Sequence, residues 1–134
     1  MGVVVDASVA VKWFVCEEGS ERALALAGED TLIAPELVVA EVANTLWKLT
    51  ARGVIGPPQA EAGVAELLSA YDELYPLGPL SSRAFGMAVA LSHPVYDCFY
   101  LALAEIQRAT LVTADRRLVA KVAGTPWQDR VRPL

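Results

Sequence analysis

Short apolar, β-branched runs alternate with longer helical stretches along the whole 134-residue chain, and this alternation restricts the fold more than any other feature. Gly2–Val5 reads as a buried strand ending at Asp6, followed by an apolar helix over Ser8–Val15. Ser20 is placed to cap a helix through Ala27, and a polar turn over Gly28–Thr31 leads into a second strand, Leu32–Ala34. A long helical pattern runs from Glu36 to Arg52, where Gly53 stops it. Gly56-Pro57-Pro58 opens another that extends to about Leu74, with Pro57 in its first turn. Tyr75–Leu77 predicts a short strand. A helix begins at Ser81 or Ser82 and reaches Ser92, Pro94 breaks it, and Tyr96–Gln107 is helical again. Thr110–Thr113 is the clearest late strand, Asp115–Ala123 a helix stopped by Gly124, and Val131–Leu134 a last edge strand. This order implies an α/β layered fold with a mainly parallel sheet. No repeat, low-complexity tract or long linker divides the chain, so one domain over residues 1–134 is expected.

Apolar residues make up 54% of the chain and charged residues 20%, a globular composition able to bury a core without disulfides. The apolar runs are short and interrupted, far below the roughly 20 residues of a membrane span. No secretory leader is visible, which together with only two cysteines predicts a reducing cytoplasm and no membrane. Cys16 and Cys98 are expected as small buried hydrophobes. The net charge of −5 argues against a nucleic-acid binder, because such proteins draw affinity from neutralising phosphates. Carboxylates gathered around metal ions would not present that charge to a substrate, and a nuclease that releases its product needs only modest affinity.

Most acidic residues sit in polar neighbourhoods: Glu17, Glu18 and Glu21 in one loop, Glu29 and Asp30 in another, and Glu61, Glu66, Asp72 and Glu73 along a solvated helix. Four do not. Asp6 follows Val3-Val4-Val5, Glu41 interrupts Leu37-Val38-Val39-Ala40 and Val42-Ala43, Asp97 sits within Val95-Tyr96-Asp97-Cys98-Phe99, and Asp115 ends Leu111-Val112-Thr113-Ala114. A charge in such surroundings is costly unless it is paired or bound to a metal. Taken singly, Asp6, Asp97 and Asp115 stand at helix starts, where an ordinary cap is the plainer reading. Glu41 lies mid-helix with Leu37, Val38, Asn44 and Thr45 beside it, a face that offers no cation.

Sites in open α/β sheets form beyond the carboxyl ends of the strands, where Asp6 and Asp115 both fall. Asp97 and Glu41 can approach the same crevice from helices. An all-oxygen ligand set suits Mg²⁺ or Mn²⁺, whereas His93 and two separated cysteines give no zinc pattern. His93 reads as part of a surface turn before Pro94. Trp13, Phe14 and Trp47 read as core more readily than as stacking platforms for bases.

Four segments, Val3-Val4-Val5-Asp6-Ala7-Ser8, Glu41-Val42-Ala43-Asn44, Tyr96-Asp97-Cys98-Phe99-Tyr100-Leu101-Ala102-Leu103-Ala104 and Thr113-Ala114-Asp115-Arg116-Arg117-Leu118, together resemble the PIN-domain nucleases, and among them the VapC-type toxins of toxin–antitoxin pairs. The resemblance implies an α/β/α sandwich around a parallel sheet and an Mg²⁺- or Mn²⁺-dependent ribonuclease. It implies that Asp6, Glu41, Asp97 and Asp115 form the acidic quartet, that Thr113 orients those ligands or a water on the metal, and that Ser8 supports Asp6. It also implies a homodimer silenced by a cognate antitoxin. Arg116 and Arg117 stand where some relatives carry another acid, which leaves one or two metals open.

In chemical terms, Asp6 is expected to anchor the principal metal, Asp97 and Asp115 to complete its shell, and Glu41 to hold a second metal or orient the attacking water. Lys12, Arg116 and Arg117 are the nearest cations for steering phosphate, and the helices over Glu36–Arg52 and Pro57–Leu74 offer a surface for a second copy or an antitoxin helix. A housekeeping RNA-processing nuclease and a non-catalytic interaction protein on the same scaffold remain as alternatives. A phosphotransferase would need an aspartate where Ser8 stands, and a dinucleotide binder would need a Gly-rich loop after the first strand.

Overall fold

Asp6 and Asp115 owe their positions to two neighbouring strands at the centre of a five-stranded parallel sheet. A computed structural model describes residues 2–28 and 31–134; Glu29 and Asp30, expected in a polar turn, lie outside the described residues. The strands are β1 (Gly2–Val5), β2 (Thr31–Pro35), β3 (Glu73–Tyr75), β4 (Thr110–Thr113) and β5 (Val131–Pro133), in the order β3-β2-β1-β4-β5. Val4 pairs with Ile33 on one side and Leu111 on the other, and every pairing is parallel. Val3–Val5 and Leu111–Thr113 are buried throughout, as central strands covered on both faces require.

The helices are α1 (Ala7–Ala10), α2 (Ser20–Leu26), α3 (Leu37–Ala51), α4 (Pro57–Ala70), α5 (Ser81–Leu91), α6 (Val95–Gln107) and α7 (Arg116–Val122). Right-handed crossovers send α1–α4 to one face and α5–α7 to the other. The result is the expected α/β/α sandwich. From β1 the sheet grows one way through β2 and β3 and the other way through β4 and β5. A crevice opens at the carboxyl ends where that direction switches. Gly63 lets α4 close on its neighbours, since a Cβ there would meet Leu46 at 3.1 Å and Phe14 at 3.2 Å.

Several boundaries differ from expectation for identifiable reasons. The first helix ends at Ala10 and continues as a 3-10 turn, Val11–Trp13. Ser20 is the first residue of α2 rather than its cap; its hydroxyl turns back, accepting from Glu17 N and donating to the Val15 carbonyl. The helix expected to reach Leu74 stops at Ala70. Tyr71 is buried and its hydroxyl donates to the Val5 carbonyl at 2.7 Å, while the Asp72 carboxylate accepts from Leu32 N at 2.8 Å. Asp72 and Glu73 are therefore not on a solvated helix, and β3 begins two residues before Tyr75. Cys98 is buried as expected, but Cys16 is exposed. Trp13 packs edge-on against Phe14 and Tyr71, whereas Trp47 is 64% exposed and not core. Among the described residues no single helix is long and apolar enough to cross a membrane.

Candidate active site

Both loops that leave the central strands place a carboxyl over the crevice. Asp6 caps α1, its Oδ1 accepting from Val9 N, and Asp115 caps α7, accepting from Arg117 N at 2.9 Å. Capping and site geometry coincide for these two. Asp97 does not cap; it is the third residue of α6 and meets His93 Nε2 at 2.6 Å through Oδ2. Glu41 lies on the inner face of α3 and accepts a hydrogen bond from the Tyr100 hydroxyl at 2.7 Å. Asp6, Glu41, Asp97 and Asp115 all line one cleft.

Asp6 is the floor of this cleft, 4% exposed. Ser8 Oγ donates to its Oδ1 and Thr113 Oγ1 to its Oδ2, each at 2.5 Å. The same hydroxyls accept from the backbone: Ala114 N gives to Ser8 at 2.9 Å and Asp115 N to Thr113 at 3.0 Å. Each hydroxyl proton is thereby committed to the carboxylate, and Asp6 is held in one orientation from both sides. Burial pushes the Asp6 pKa up from an ordinary 3.8 to about 7; the two hydroxyls oppose this, and the negative charge of Asp97 adds to it. Glu41 is raised in the same way, by burial first and against the Tyr100 bond, with Asp97 again contributing.

Asp6 and Glu41 are partnered by neutral donors, and among the described residues no cation pairs with either. That is the environment a divalent metal fits: oxygen donors, one deeply buried, and mutual repulsion that a cation would relieve. Among the described residues no three His, Cys, Asp or Glu side chains already form a closed metal cage. Mg²⁺ does not require one, since it keeps several waters and is commonly held by one or two carboxylates.

Comparison with known proteins gives the chain's family. The family model for the PIN domain matches residues 3–124. The chain belongs to the PIN-domain family. Ribonuclease VapC3 of Pyrobaculum aerophilum is 36% identical over 124 residues, covering 90% of this chain and 95% of that protein. Ribonuclease VapC9 of Mycobacterium tuberculosis is 34% identical over 116 residues, with 87% of each chain covered. Among solved structures, PAE2754 from Pyrobaculum aerophilum superposes with a TM-score of 0.73 at 26% identity, over 93% of this chain and 82% of that one. VapBC2 from Rickettsia felis, solved with a DNA fragment from its promoter, gives 0.72 at 16% identity over 100% and 99%, a likeness of fold alone.

Within this PIN domain three polar residues at the cleft escape sequence reasoning. Tyr100 partners Glu41 across 59 positions, a pairing no local pattern announces. The His93 side chain is only 7% exposed and holds Asp97 rather than decorating a surface turn; its i,i+4 spacing to Asp97 is the signal that was available. Lys48 lines the cleft two turns beyond Glu41. Lys12, by contrast, is occupied with Glu17 at 3.2 Å and the Glu18 carbonyl at 2.7 Å, outside the cleft.

Proposed function

We propose that this PIN domain is a divalent-metal-dependent endoribonuclease of the cytoplasm, the toxin of a VapBC-type pair, silenced by a cognate antitoxin. The observation that carries the reading is the convergence of Asp6, Glu41, Asp97 and Asp115 on one cleft, in which hydroxyl groups are the side-chain partners of Asp6 and Glu41. The VapC relatives, ribonucleases by name, support the same substrate.

Asp6, Asp97 and Asp115 would hold Mg²⁺ or Mn²⁺, with Glu41 beside them. Bound there, the cation supplies Lewis-acid chemistry, activating water and relieving charge on the phosphodiester. The protein's part is orientation. Ser8 and Thr113 fix both oxygens of Asp6, His93 fixes one oxygen of Asp97, and Tyr100 fixes one oxygen of Glu41. The remaining Glu41 oxygen is left to orient the attacking water or accept its proton, a role its raised pKa favours.

The apolar groove between α3 and α4, lined by Leu46, Trp47 and Val64, suits an apolar helix face of the antitoxin. Exposed Phe85 and Val89 on α5 support a homodimer. Incubating RNA with Mn²⁺, with excess chelator, and with the Glu41→Gln protein tests the chemistry. Cleavage should require the metal and fall at least 100-fold in the variant. Undiminished cleavage in chelator would refute the metal-dependent reading.

A further inference from the structure

Two cavities meet at the acidic centre. One, of about 430 Å³, runs from Asp6 along α3 past Asn44 to Lys48. The other, of about 580 Å³, lies beyond Asp97 and Asp115, between the His93-Pro94 turn and α7, and is lined by Arg117 and Lys121. Asp97 and Asp115 border both. They are two lobes of one trough, with carboxylates at its waist.

The cations stand at the outer ends. Glu41, Asn44, Thr45 and Lys48 follow one face of α3, so Lys48 is carried away from the carboxylates by helical geometry. Arg117 and Lys121 are one turn apart on α7. Lys48 and Lys121 make no ion pair among the described residues. Arg117 reaches Asp115 only at 3.7 Å and is 89% exposed, so its guanidinium is not committed. Along the trough the charge therefore runs positive, negative, positive, on a chain whose net charge is −5.

We propose that this trough is the track of the RNA backbone: Arg117 and Lys121 hold the phosphate on one side of the scissile bond, and Lys48 the phosphate on the other. The inference rests on the ribonuclease reading above and adds the residues that seat the flanking phosphates. A metal-neutralised waist flanked by cations matches three successive phosphates, whereas uniform acidity would repel the flanking two.

The test uses the full-length protein. In Mn²⁺, Lys48→Ala and the Arg117→Ala/Lys121→Ala pair should each raise KM for an unstructured RNA oligomer roughly three- to tenfold, with the larger part of the loss in KM rather than kcat. In the Asp6→Asn background, the triple variant should flatten the dependence of log Kd on log salt by about 1.4, near 0.7 for each of the two lost phosphate contacts on an unstructured oligomer. Arg132→Ala, on β5 and outside the trough, should change neither. Triple-variant protein with wild-type KM and salt slope, while the wild type cuts RNA, would overturn the track and leave the ribonuclease reading standing. A wild type that neither binds nor cuts RNA in Mn²⁺ would overturn both.

Discussion

The Asp6 carboxyl ionises against the opposition of its own burial, and the consequence is measurable as stability. Below about pH 4 it is protonated in folded and unfolded chains alike. Between that point and about pH 7 the folded chain keeps a proton that the unfolded chain has released, so metal-free stability falls as pH rises through this window. A shift from 3.8 to about 7 corresponds to a loss on the order of 4 kcal/mol, complete only above pH 7. Asp6→Asn should therefore raise Tm in chelator at pH 8, leave it nearly unchanged near pH 4, and abolish cleavage. In the wild type, stabilisation by Mn²⁺ should grow from pH 6 to pH 8, because protons compete for the same oxygen; thermal melts with and without metal check both. His93 gives a second prediction at this scale. His93→Ala frees Asp97 and should weaken Mn²⁺ binding about tenfold by calorimetry, with His93→Gln restoring part of the affinity. The acids themselves were legible in the sequence because each interrupts an apolar run. Of their partners, Ser8 and Thr113 were named only through the family resemblance, for Thr113 meets Asp6 across 107 positions, and nothing near Glu41 names Tyr100.

At the scale of elements, β runs and helical periods located nearly every strand and helix, since burial on one or both faces leaves a periodic trace. The end of α4 was hidden because it is set by long-range bonds. Tyr71 is drawn into the core by the Val5 carbonyl, exposed Asp72 is tied to β2 by Leu32 N, and these two contacts turn a continuing helical pattern into a strand. Tyr71→Phe removes the hydroxyl while keeping the ring. It should lower unfolding stability by about 1–2 kcal/mol in urea titration, as the buried carbonyl loses its donor. Trp47 shows the opposite error: apolar spacing on α3 reads as core, yet the groove that would cover it is open. Trp47→Glu should leave cleavage intact and release the antitoxin, a pairing read by co-purification and by activity of the separated protein.

Over the whole molecule, the parallel order β3-β2-β1-β4-β5 places residues from the first and last fifths of the chain side by side. No single element holds the four acids: the β1–α1 turn, α3, α6 and the β4–α7 turn each bring one to the cleft. A chain cut before Thr110 lacks β4, Thr113 and Asp115, and it should be unfolded by circular dichroism and unable to cut RNA in Mn²⁺. The hydroxyl of Thr113 closing on Asp6 has a further meaning in time. A growing polypeptide lengthens at roughly 5–20 residues per second, and until its final stretch emerges the first strand has no neighbour on that side. Synthesis thus passes through a long stage in which the chain lacks Thr113 and Asp115, and a prematurely terminated product never gains them. On the ribonuclease reading, the order of the strands delays cleavage until the chain is nearly finished.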